Sequence, residues 1–223
     1  INCLEQKMSY SKSVDINGEC QNPMVKIIPR VDYVNCRVVN QRRLDLRGAV
    51  SARVKVIGEK TQSVVVDAFG SNIQLKKSLV TYPARRLTSA KRVTVIEDLE
   101  LGETKPAVES IIRCDCEVFP HELKVIAGKL VTKGDAEISM LYTCTSQSGS
   151  DSLETMRFSI PFSQIIDIDG IDETFDAFVD IDPVGCDVIP KGEEGTSLEC
   201  ELVMAVTCTA IKYETCEIVT DAY

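Results

Sequence analysis

Tryptophan is absent from the chain, histidine occurs once, at His121, and aromatic residues make up only 5% of it. Proteins that hold sugars stack them on aromatic faces, so a lectin-like or sugar-hydrolysing role is disfavoured. A basic excess is missing too. The net charge of −9 leaves no cationic face for phosphates and excludes nucleic acid as a partner. No apolar run approaches the roughly 18–20 residues that a membrane-spanning helix needs, so no membrane insertion is expected. There is no Gly-x-Ser-x-Gly elbow, phosphate loop or dinucleotide fingerprint. The glycines of Gly192-Glu193-Glu194-Gly195 stand in an acidic loop that would repel a phosphate. His121 lies in Phe119-Pro120-His121-Glu122-Leu123, which reads as a turn-like stretch joining two strands rather than as the seat of a general base. With one histidine and no Cys-x-x-Cys, the ligand spacing of a zinc site is lacking. The stretch Asp167-Ile168-Asp169-Gly170-Ile171-Asp172 faintly resembles a calcium loop, but its apolar alternation suits a strand entering a turn better. The expectation is a protein without catalytic residues, cofactor or metal.

What is abundant is cysteine. Ten occur, at Cys3, Cys20, Cys36, Cys114, Cys116, Cys144, Cys186, Cys200, Cys208 and Cys216. A chain of 223 residues can bury a proper core without disulfides, and it lacks the short, loop-rich texture of small secreted disulfide scaffolds. Two readings stay open: buried thiols acting as small hydrophobes, and disulfides that form late or between chains. Cys114 and Cys116, two apart, would share one face of a strand.

The chain also matches itself at a separation of about 150 residues, a sign of repeated structural units. Ser9-Tyr10-Ser11-Lys12-Ser13-Val14-Asp15-Ile16-Asn17-Gly18 is answered by Pro161-Phe162-Ser163-Gln164-Ile165-Ile166-Asp167-Ile168-Asp169-Gly170. Val31 to Cys36 is answered by Ile181 to Cys186, so that a cysteine repeats, and Val64 to Phe69 by Ile218 to Tyr223. The expected organisation is the second half of one module at 1–58, a complete module at 59–212, and at 213–223 the opening strand of a next module or a strand for a neighbouring subunit.

Period-2 alternation, the mark of half-buried strands, dominates. Leu198, Cys200, Leu202, Met204, Val206, Cys208 and Ala210 fall on one face, with Glu199, Glu201, Thr207 and Thr209 on the other. That places Cys200 and Cys208 as buried thiols. Leu130 to Tyr142 alternates likewise, and Arg43 to Ile57, Arg92 to Leu101, Met156 to Ile160 and Phe175 to Ile181 also read as strands. One short helix is expected at Pro106 to Ile112, where proline suits a first helical position. The fold class is mainly β: tandem antiparallel sandwich-like modules with one short helix.

Several of these stretches together resemble the SPOCS domain of SipL-like, spore-coat-associated proteins from anaerobic spore formers. They are Val93 to Leu101 with Lys105 to Ile112, Val125 to Gly134 running on to Met140-Leu141-Tyr142, and Phe158 to Ser163 followed by Ile168-Asp169-Gly170. Asp67-Ala68-Phe69 and Asp221-Ala222-Tyr223 resemble the junction between two such modules. The resemblance implies a protein made in the mother cell and deposited on the spore surface, in coat, exosporium or appendage. Its partners would be copies of itself, in a filament or lattice, or other spore-envelope proteins. The cysteine content is closer to self-assembling envelope proteins than to a coat-tethering adaptor, which is the alternative. On that view Cys3, Cys20, Cys144 and Cys216 are candidates for assembly or cross-linking, and Cys36 and Cys186 are repeat-equivalent structural cysteines.

Overall fold

A computed structural model describes residues 8–16, 18, 20–145, 149–192 and 194–223. Among these every regular element is a strand: β1 Gln21–Asn40, β2 Arg43–Glu59, β3 Leu75–Glu100, β4 Ser110–Ile126, β5 Lys129–Thr145, β6 Asp151–Asp167, β7 Asp176–Lys191 and β8 Ser197–Ala222. They form sheets ordered β1-β2, β3-β8-β7 and β4-β5-β6. The chain divides into two compact units, one containing Lys76–Thr220, the other Lys7–Leu75 with Asp221–Tyr223.

The expected helix at Pro106 to Ile112 is not there. Residues 103–105 turn, and β4 has begun by Ser110. The backbone N–H of Val108 donates to the carbonyl of Gly195 at 2.8 Å, and that of Glu109 to Thr143 at 2.9 Å. These two groups bond to distant parts of the chain and not to carbonyls one helical turn back. Val108 itself is buried, and the carbonyl of Pro106 accepts the Tyr142 hydroxyl at 3.2 Å. Tertiary hydrogen bonds have overridden a weak local pattern.

In the larger unit the inward faces follow from register. Residues directly opposite in an antiparallel pair share a face. Leu130, Ala136, Ile138, Met140 and Tyr142 of β5 point inward, joined by Phe158, Ile160 and Phe162 opposite Ile138, Ala136 and Gly134 on β6. The β8 residues Leu198 to Ala210 that alternate in sequence are all buried and form the other wall. At the two sides the sheets approach each other. Ser89 and Lys91 of β3 donate to the carbonyls of Asp167 and Ile165 on β6, and β4 lies beside β7. The result is a closed sandwich whose four edges are drawn together in pairs.

A bulge decides the interior of β7. Pro183 pairs with Met204, but Gly185 pairs with Val203, so Val184 is an extra residue. It shifts the strand's parity. Val179 and Ile181 before it, and Cys186 and Val188 after it, therefore face the same core; without it Cys186 would point to solvent.

Thr132 is completely buried on β5, and its hydroxyl has no hydrogen-bond partner. An unsatisfied buried hydroxyl costs free energy that an isosteric methyl does not. Thr132→Val should therefore raise stability by about 1 kcal/mol, checked by urea denaturation; a clear loss of stability would show that the hydroxyl is in use.

The smaller unit is a long two-stranded ribbon. β1 and β2 pair from Gln21↔Glu59 to Asn40↔Arg43. The boundary between the two units falls between Leu75 and Lys76. Residues 213–222 belong to β8, which lies beside β3. In the smaller unit Gln74 and Tyr223 exchange backbone hydrogen bonds at 2.7 and 3.0 Å.

Candidate functional site: an uncovered ribbon and clustered thiols

The ribbon repeats the geometry of the β7–β8 hairpin. It too carries a bulge before its cysteine, between Val31 and Tyr33, two residues further from the cysteine than the bulge of β7. Cys36 stands opposite Leu46, as Cys186 stands opposite Leu202. The sequence repeat is thus also a repeat of register.

One face of the ribbon is almost wholly apolar. Val25, Ile27, Pro29 and Val31 lie opposite Val56, Val54, Ala52 and Val50; past the bulge, Val34, Cys36 and Val38 lie opposite Gly48, Leu46 and Leu44. The other face carries Lys26, Arg30, Asn35, Arg37, Asp45, Arg47, Arg53 and Lys55. Such alternation normally marks one face for a core. Here the face is left exposed: among the described residues every buried hydrophobic one lies between Val93 and Ala210, and in the ribbon Val34 is 65% exposed and Leu46 55%. An isolated two-stranded ribbon is marginal in water at best, so this face calls for a partner.

A second unpaired feature is the far end of β8. β7 pairs with β8 only as far as Asp176↔Ile211, while β8 continues to Ala222. Among the described strands none pairs with residues 212–222 on the β7 side, and a free edge there is the kind that accepts another strand.

The cysteines fall into three environments. Cys20 and Cys36 are exposed and Cys216, on the open stretch of β8, is partly exposed; a cross-link to another chain could reach these three. Cys3 lies outside the described residues. Cys144, expected among the cross-linking candidates, is only 1% exposed. Its Sγ donates to the carbonyl of Ser152 at 3.7 Å, and burial pushes its thiol above the usual range. Another chain's sulfur cannot reach it while the core is closed. Cys200 and Cys208 are fully buried, and desolvation pushes Cys208 up to about 11.

The third environment was not anticipated. Cys114 and Cys116 of β4 point toward Cys186 of β7, and the sulfurs of Cys114 and Cys186 are 3.4 Å apart. The interaction with Cys186 lowers the pKa of Cys114 and Cys116, while that of Cys186 is pushed far up. The alternation of Cys114-x-Cys116 was visible in sequence; that β4 lies against β7 was not. Among the described residues no group of three or more acidic, histidine or cysteine side chains is arranged to hold a metal. His121 is not in a turn between strands but at a bulge within β4, between Pro120 and Glu122. It is exposed and 3.5 Å from Asp135. In the loop with the faint calcium-like pattern, the Asp172 carboxylate accepts both the N–H and the hydroxyl of Thr174.

No curated protein and no solved structure matches the chain. A family model does: the one described as SipL, SPOCS domain, over residues 107–189. The matched stretch runs from just before β4 to near the end of β7 and includes Cys114, Cys116 and Cys186 of the thiol cluster. Residues 107–189 of the chain thus match the SPOCS domain.

Proposed function

We propose that the chain is a non-enzymatic structural subunit of the bacterial spore envelope, and that it assembles by covering the apolar face of its β1–β2 ribbon with strands of another copy. The SPOCS domain supports a sporulation-related role. The observation that carries the assembly reading is the uncovered apolar face from Val25 to Val56. The chain itself indicates what should cover it. The β7–β8 hairpin, which also bulges before its cysteine and has the same cysteine–leucine pairing, is covered by the β4-β5-β6 sheet. A second copy offers β-surface of that kind and the open edge of β8 beyond Ile211. Strand addition of this sort is directional, so repeated between copies it builds a filament or lattice rather than a closed dimer. Cys20, Cys36 and Cys216, accessible in the single chain, would lock the assembly under oxidising conditions.

The purified chain is expected to form multimers visible by light scattering and electron microscopy, and to run above monomer mass on a gel without reductant. Leu46→Lys should abolish assembly while leaving the thermal unfolding of the larger unit unchanged. A wild-type chain that is monomeric in solution, and monomeric on gels with and without reductant, would sink the self-assembly reading. A morphogenetic adaptor that binds other envelope proteins would then be the better account.

A further inference from the structure

We infer that Cys114 and Cys186 are a redox pair that closes to an intramolecular disulfide, stitching the edge of one sheet to the edge of the other. The inference concerns the larger unit alone and stands whether or not the chain assembles.

Three observations carry it. The two sulfurs lie 3.4 Å apart, and a disulfide bond is about 2.05 Å long, so modest side-chain rotation closes the gap. The two residues sit on β4 and β7, which belong to different sheets; neither strand's ladder has to break. Both are partly exposed at the side of the sandwich, whereas Cys200 beneath them is fully buried. A dissolved oxidant can therefore reach the pair but not the thiol below. The hydrogen bond from Cys186 also favours the thiolate of Cys114, and the thiolate is the attacking species in exchange.

With a small disulfide such as oxidised glutathione as the oxidant, the step balances. The Cys114 thiolate attacks one glutathione sulfur; the glutathione disulfide breaks and the first glutathione leaves as a thiolate. Attachment at Cys114 removes the hydrogen bond that contributes most to raising Cys186. Cys186 then loses its proton to solvent and attacks the Cys114 sulfur, expelling the second glutathione. Two protein thiols are oxidised by two electrons, and one small disulfide is reduced to two thiols.

The bond would close a loop between residues 72 apart in sequence. Constraining the unfolded chain over that length should raise the melting temperature by about 10 °C.

The test uses the full chain, purified under reductant, incubated with oxidised glutathione, and alkylated after denaturation. Cleavage before aspartate separates Cys114 from Cys116 at Asp115, and Cys186 from Cys200 at Asp187. The expected result is a monomer whose Cys114 and Cys186 peptides are joined, with Cys116 and Cys200 alkylated and the melting temperature raised. Cys186→Ala should abolish both the joined peptide and the rise, while Cys208→Ala should keep both. Recovery of Cys114 and Cys186 as alkylated thiols would overturn the inference. So would joining of either to a second chain, or a temperature rise that survives Cys186→Ala. Zinc bound at one equivalent that shields these thiols from glutathione would overturn it as well, making the cluster a metal site.

Discussion

Leu202→Ala is expected to destabilise the larger unit by about 2–5 kcal/mol and to lower its melting temperature by about 10 °C. Leu202 is completely buried, in the first third of β8 and opposite Cys186. Removing its side chain loses transfer free energy and leaves a cavity that two flanking sheets cannot collapse to fill. The informative control is Leu46→Ala. Leu46 holds the equivalent register position, opposite Cys36, yet is 55% exposed. In the monomer its truncation should change stability by no more than about 0.5 kcal/mol. One sequence repeat, one register and two environments should thus give effects differing several-fold. Differential scanning calorimetry at dilutions that keep the chain monomeric would read both. Equal losses at the two positions would show that the ribbon face is covered within the single chain, which would also remove the main support for assembly.

The second large effect is expected at Gly134. It lies in the buried row of β5, opposite Phe162. A β-carbon there would stand 2.6 Å from the tip of the Phe162 ring and would also collide with the carbonyl oxygen of Phe119. The carbonyl belongs to a paired strand, so the backbone of β4 would have to move as well as the ring. Gly134→Ala should therefore cost about 1–3 kcal/mol by overpacking, despite the usual gain from restricting a glycine in the unfolded chain. Combining it with Phe162→Leu should restore part of that loss, because the ring is one of the two obstacles. A double-mutant cycle in urea measures the coupling. Strict additivity of the two substitutions would show that the ring is not what excludes a side chain at this position.

The alternation in Leu198 to Ala210 is regular enough that every buried side chain of that stretch of β8 could be named without coordinates. The same holds for Leu130 to Tyr142. The repeat was legible as well, and the equivalent Cys–Leu pairings show that it reaches down to register around the cysteine. The segment at Pro106 to Ile112 was misread because proline followed by three apolar residues satisfies a one-turn helix as readily as a strand entry. Only the carbonyls of Gly195 and Thr143, far away in the chain, resolve that choice. The inward position of Cys186 was likewise out of reach, because it hangs on one unpaired residue, Val184, that reverses the parity of everything after it.

What the amino-acid order determined by itself was the local character of each strand: which residues alternate, which face is apolar, and which hairpin repeats another. These are period-2 properties, set by the pleat of the backbone wherever the strand ends up. What only the tertiary structure decided was which of two equivalent apolar faces is covered, and which thiols meet. Both depend on how separate sheets are brought together, and strands that pack across a sandwich carry no mark in sequence of which partner they face.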